Sequence, residues 1–109
     1  MVERAYVDEL LETYVLSLAG LDQCPDIVAD EVKSRLTANV ERAEQAFAQA
    51  VADGLDGGTD GLRNAVRDLA DANETVRSAF HTGRSIGDLL VDLERATAQA
   101  GRVLAAGRA

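Results

Sequence analysis

The residues best suited to chemistry in this 109-residue chain are its only histidine and its only cysteine. His81 and Cys24 suggest a thiol–imidazole pair, in which the imidazole activates the thiol as a nucleophile. Such a pair needs a third group to orient the imidazole, and the sequence offers no obvious one. We therefore interpret Cys24 as a loop thiol and His81 as a helix-terminal residue that faces the helix dipole.

An aspartate-rich loop is the second candidate for chemistry. Residues 53–61 have the sequence DGLDGGTDG, with three aspartates and four glycines. An EF-hand needs oxygen ligands at alternating positions, whereas these aspartates are spaced by three and four residues. A phosphate-binding loop needs a lysine, and no basic residue lies between Arg42 and Arg63. The loop is interpreted as a connection between helices, and weak binding of a divalent cation stays open.

Metal ligation by carboxylates on helices is the third candidate. Glu41 and Glu44 are spaced so that both could reach one ion, but they lie at the rim of an apolar face. A di-metal bundle places Glu-x-x-His pairs on facing helices, and His81 has Ser78 three residues before it. The sequence predicts no catalytic, metal or cofactor site.

The elements that position these residues are predicted to be helices. Alanine is abundant, Pro25 is the only proline, and no segment alternates apolar and polar residues as a strand would. Helix ends are indicated by Gly20, Pro25, Gly54, Thr59 and Ser85. The sequence predicts a single domain, residues 1–109, with helices at about 3–19, 25–53, 60–82 and 86–105.

The apolar faces of these helices predict how they pack. On the first helix, one side carries Val7, Leu10, Leu11, Tyr14, Val15 and Leu18. The second helix has the most regular stripe, from Val28 to Val51. The short connections favour an all-α, antiparallel four-helix arrangement built from two helical hairpins. The alternative is an extended arrangement whose core is completed in a homodimer.

The net charge of −8 limits the classes of partner. An acidic surface repels phosphate, so nucleic acid and anionic membranes are not expected partners. Residues 1–60 hold 13 acidic and 4 basic residues, against 6 and 7 in residues 61–109. Complementary faces could thus steer self-association. A single cysteine and the absence of an apolar segment of about 20 residues favour a cytoplasmic location.

Four residues are candidates for an interaction surface. Asn73 lies near the centre of the third helix's apolar face, where a lone polar residue often fixes register or partner number. Leu16, Ile27 and Val91 lie off the main apolar faces or near a helix start. Together these three residues are candidates for part of a docking surface.

The function predicted from these features is a non-enzymatic helical protein–protein interaction module. It would be an assembly adaptor, a structural component or a chaperone-like partner, and it would self-associate. The alternative is a small acidic regulator or inhibitor that binds a basic surface of a partner protein. A helical ligand carrier or enzyme is the third class, and it would need a buried polar cluster around Asn73 or His81.

Overall fold

Four α-helices make up the fold in the computed structural model, which describes residues 5–25, 27, 29–55 and 59–108. The helices are α1 (Ala5–Asp22), α2 (Asp30–Asp53), α3 (Asp60–Thr82) and α4 (Ile86–Arg108). No strand occurs in the described ranges. The predicted all-α, antiparallel four-helix arrangement is confirmed.

Local capping explains the ends of α3 and α4. The Thr59 hydroxyl accepts a hydrogen bond from the Leu62 N–H at 3.2 Å, which satisfies a free donor in the first turn of α3. Helix α3 is followed by Gly83, whose φ of 69° is left-handed. The Ser85 hydroxyl accepts from the Asp88 N–H at 3.3 Å at the start of α4. The sequence predicts Thr59 and Ser85 as helix starts, and its predicted bounds of 60–82 end the third helix directly before Gly83.

The first two helices depart from the predicted bounds. Helix α1 continues through Gly20 to Asp22, and α2 begins at Asp30 rather than at Pro25. Asp30 and Glu31 place two carboxylates in the first turn of α2, where they complement the helix dipole. Helix α4 extends three residues beyond its predicted end. Residues 3 and 4, Asp26 and Val28 lie outside the described ranges.

Gly20 lies inside α1 because α4 passes very close to it. A Cβ at Gly20 would lie 2.6 Å from Leu93 Cδ1, and the Leu93 side chain is fully buried. At Gly101, in the interior of α4, an added Cβ meets nothing within 4 Å. Gly20 therefore leaves space for the Leu93 side chain of α4, despite its weak helix propensity.

Alanine at these two glycines should have opposite effects on stability. Gly101→Ala should raise the free energy of unfolding by up to about 1 kcal/mol, because alanine is the better helix former. Gly20→Ala gains the same helix propensity but overpacks Leu93. Its free energy of unfolding should therefore be about 1–3 kcal/mol lower than that of Gly101→Ala. Urea unfolding of both variants measures the difference. Equal stabilities would contradict the close approach of α1 and α4.

The four helices form a flattened bundle. Helices α1 and α4 each contact the other three, whereas α2 and α3, which are fully described, do not contact each other. The bundle measures 46 × 25 × 17 Å. The 17 Å thickness fits α1 lying directly on α4, with α2 and α3 at the two edges. Helix α1 therefore lies on one broad side of the molecule and α4 on the other.

The core consists of two apolar clusters with polar side chains between them. The first cluster includes Tyr6, Leu10, Leu62, Leu69 and Val103, and it lies near the 54–59 connection. The second includes Leu36, Val76, Leu89, Leu90 and Leu93, and it lies near the other end of the bundle. Thr13, Ser17, Asn39 and Asn73 are also almost fully buried.

Helix α1 faces the core with a side different from the predicted one. Its buried residues are Tyr6, Leu10, Thr13, Ser17 and Gly20. Leu11, Val15 and Leu18, which were expected to face inward with Leu10, are 41%, 52% and 40% exposed. The small and hydroxyl-bearing side chains allow α4 to approach and supply partners for buried asparagines. The predicted inward face of α1 was therefore wrong for these three residues.

Candidate interaction surfaces

A hydrogen-bonded polar cluster joins α1 to α3 inside the bundle. The Thr13 hydroxyl lies 2.8 Å from Asn73 Oδ1 and 2.9 Å from the Glu9 carbonyl oxygen, and it can donate its one proton to either. Asn73 Nδ2 donates to the Glu9 carbonyl at 3.1 Å and to Glu9 Oε1 at 3.0 Å. Asn73 is fully buried, and both ends of its amide are satisfied when Thr13 donates to Oδ1.

A second buried amide joins α1 to α2 with fewer partners. Asn39 Nδ2 donates to the Ser17 hydroxyl at 2.9 Å. Asn39 Oδ1 and the Thr97 hydroxyl are buried without a hydrogen-bond partner. A buried acceptor without a donor costs free energy, so this side of α1 is held less firmly by polar contacts than the α3 side.

The outer side of α1 carries a stripe of aliphatic residues between two aspartates. We call Asp8, Leu11, Val15, Leu18 and Asp22 the α1 face. At about 100° per residue they lie together, opposite the buried side of the helix. Asp8 and Asp22 have no ion-pair partner among the described residues. The stripe is therefore bounded by two negative charges that no described residue pairs with.

The flanks of the α1 face are held by charged and polar side chains. On the α2 side, the Tyr14 hydroxyl donates to Glu44 Oε2 at 3.0 Å, and this hydrogen bond raises the pKa of the Tyr14 phenol. On the α3 side, the Arg77 guanidinium donates a hydrogen bond to the Glu12 carboxylate, and this hydrogen bond raises the pKa of Arg77. Both contacts tie α1 to its neighbours at the surface. Between residues 5 and 22 there are four acidic residues and no basic residue.

The outer side of α4 has the opposite character. We call Val91, Arg95, Ala98, Arg102 and Ala105 the α4 face. All five residues are exposed, and they also lie opposite the buried side of their helix. Arg95 has no ion-pair partner in the described part of the chain, and Arg102 donates to Gln99 Oε1 at 3.2 Å. The α4 face thus combines small side chains with two arginines.

Two hollows flank α4 on the same broad side of the molecule. The larger, of about 470 Å³, lies between α2 and α4 and is lined in part by Arg42, Ala46, Gly101 and Leu104. The smaller, of about 340 Å³, lies between α3 and α4, and its lining includes Asp68, Arg95 and Arg102. Small residues on α4 leave these hollows open. The α4 side is therefore indented, whereas the α1 side projects large aliphatic side chains.

The four predicted interaction residues lie in different environments. Ile27, in the connection between α1 and α2, is 95% exposed, and Val91 is 46% exposed on α4. Leu16 is half-buried and packs against the second apolar cluster. Asn73 is buried and bonded within the chain. Of the four, only Val91 belongs to one of the two faces defined above, the α4 face.

The exposed aliphatics of α1 were missed because the sequence contains two competing stripes. Leu11, Val15 and Leu18 repeat at spacings of four and three, and so do Tyr6, Leu10, Thr13, Ser17 and Gly20. Hydrophobicity alone favours the first stripe. The signal for the second is Asn39 and Asn73, which fall on the core sides of α2 and α3 and need polar partners from another helix.

The residues considered for chemistry are dispersed. Cys24 is half-buried beside the second apolar cluster, and His81 is exposed in the last turn of α3. No group of three or more potential metal ligands occurs among the described residues. Part of the aspartate-rich loop, residues 56–58, lies outside the described ranges, so cation binding there stays a prediction. None of the four helices, over the ranges that the structure describes, is long and apolar enough to cross a membrane.

Comparison with known proteins adds no assignment. The chain matches no family model, no curated protein and no solved structure.

Proposed function

We propose that this chain is a cytoplasmic, non-enzymatic protein–protein interaction module that self-associates. The observation that carries the proposal is the orientation of α1. This helix buries Thr13 and Ser17, whereas Leu11, Val15 and Leu18 are 41%, 52% and 40% exposed. Such a module would act as an assembly adaptor, a structural component or a chaperone-like partner.

The spacing of the exposed aliphatics supports docking of another helix. Single exposed leucines are common on protein surfaces, but a contiguous apolar patch usually marks an interaction site. Leu11, Val15 and Leu18 lie on successive turns of one helix, which is the arrangement by which amphipathic helices are recognised. Covering such aliphatic surface is worth roughly 25 cal/mol per Å² of apolar area removed from water.

A second candidate function is supported by the charge of α1. Asp8 and Asp22 bound the aliphatic stripe, and α1 carries no basic residue in its described range. A small acidic regulator or inhibitor would use such a face to bind a basic surface on a different protein. Charge complementarity of this kind speeds association and makes the affinity depend on salt.

The proposal is tested by the concentration dependence of the mass in solution. Multi-angle light scattering of the wild type, from micromolar concentrations upward, should show species larger than the monomer. Val15→Glu should weaken assembly at least about tenfold, because it places a charge in the centre of the apolar contact. Val51→Glu is the matched control, since Val51 on α2 is 57% exposed and Val15 is 52% exposed.

Two outcomes decide between the candidate functions. Assembly that persists in high salt and is lost in Val15→Glu supports the self-associating module. A wild type that stays monomeric at every concentration contradicts it. Salt-sensitive binding of that monomer to a basic protein would then favour the acidic regulator.

A further inference from the structure

We propose that the α1 face docks on the α4 face of a second copy of this chain, so that copies stack head to tail. This inference rests on the proposed self-association and adds the identity of the occupant. The same molecule presents both faces, one on each broad side.

The shapes of the two faces are complementary. The α1 face projects Leu11, Val15 and Leu18 as a ridge, whereas Ala98 on the α4 face lines both hollows. Helices pack by inserting a ridge of side chains into a groove of the partner. The aliphatic ridge therefore fits the hollows beside Ala98, with Arg95 and Arg102 on either side of that residue along α4.

The charges of the two faces are also complementary. The α1 face has Asp8 and Asp22 without ion-pair partners in the described ranges, and the α4 face has Arg95 and Arg102. Arg42 adds a positive charge at the larger hollow, where Glu94 is paired with Arg35, and it balances Asp68 at the smaller hollow. A two-fold pairing of α1 with α1 would instead bring aspartate towards aspartate, and like charges at a contact are unfavourable.

The size and position of the faces determine the kind of assembly. Each broad side measures 46 × 25 Å, which leaves room for the roughly 800 Å² that each partner buries in a standard interface. Because the two faces point in opposite directions, each copy can bind one neighbour on either side. A contact between two different faces is heterologous, and it produces closed rings or open filaments rather than a two-fold dimer.

Mixing two variants, each blocked on one face, tests this geometry. Val15→Glu blocks the α1 face, and the double variant Arg95→Glu, Arg102→Glu blocks the α4 face. Circular dichroism first establishes that both variants are folded, as expected for exposed positions. Each variant alone should be monomeric in light scattering, with at least about a tenfold weaker association than the wild type. An equimolar mixture should form a one-to-one heterodimer, because one intact α1 face meets one intact α4 face.

The control is Arg63→Glu with Arg67→Glu, which makes the same charge change on the exposed side of α3 and should leave assembly in place. If the variant blocked on the α4 face assembles like the wild type, the proposed pairing is overturned while self-association stands. A mixture that stays monomeric also overturns it, because complementation is required of a head-to-tail contact. A wild type that stays monomeric would contradict both the proposed self-association and the proposed pairing of the α1 face with the α4 face.

Discussion

Leu10→Ala should lower the free energy of unfolding by about 3–4 kcal/mol, because truncating a fully buried leucine leaves a cavity in the first apolar cluster. Leu11→Ala, at the next position of the same helix, should cost less than about 1 kcal/mol, because 41% of Leu11 is already exposed. Urea unfolding at a concentration at which the chain is monomeric measures both values.

This pair of variants tests the orientation of α1 directly. The two leucines have the same chemistry and helix propensity, so their difference reports burial alone. Equal losses would mean that α1 presents its more hydrophobic stripe to the core. That result would remove the main support for the α1 face.

Asn73→Ala should lower the free energy of unfolding by about 2–4 kcal/mol. The variant loses the hydrogen bonds to Thr13 and Glu9 and leaves a cavity at a fully buried position. The Glu9 carboxylate, no longer held, is free to turn to solvent. Thermal unfolding should show a correspondingly lower Tm, with no change in helix content of the folded state.

Asn64→Ala on the same helix is the control for Asn73→Ala. The Asn64 side chain is exposed, and its Oδ1 accepts only a surface hydrogen bond from Arg67 at 2.7 Å. Its loss should change the free energy of unfolding by no more than about 0.5 kcal/mol. An Asn73→Ala variant as stable as Asn64→Ala would show that the polar cluster adds nothing to the packing of α1 on α3.

The number of helices and four of their eight ends, at residues 53, 60, 82 and 86, were predictable from short-range chemistry. Thr59 and Ser85 satisfy free backbone donors only a few residues away, and Gly83 adopts a left-handed φ at the end of α3. Such signals depend on neighbours in the sequence. The prediction for Gly20 failed because its role depends on Leu93, far along the chain, and not on the residues beside it.

The orientation of α1 was not predictable from its own residues. Its hydrophobic pattern favours an inward Leu11 and Leu18, and the opposite choice follows only once Asn39 and Asn73 have been placed on neighbouring helices. Helix α3, which holds Asn73, contacts α1 but is separated from it in the sequence by the whole of α2. The excess of acid in the first half of the chain predicts complementary charges in self-association, which stays a prediction, and it does not indicate which residues form the α1 face.

The connection at residues 54–59 joins α2 and α3, which do not touch. Leu55 packs against Gly107, and its N–H donates to the Tyr6 hydroxyl at 3.3 Å, so the residue that follows Gly54 contacts both α1 and α4. Because α2 and α3 do not touch, the connection between them acts as a tether. Its contribution is to keep the hairpin of α1 and α2 at a high effective concentration near the hairpin of α3 and α4. Because the entropy cost of a loop grows slowly with its length, the bundle is expected to tolerate a longer tether far better than a shorter one.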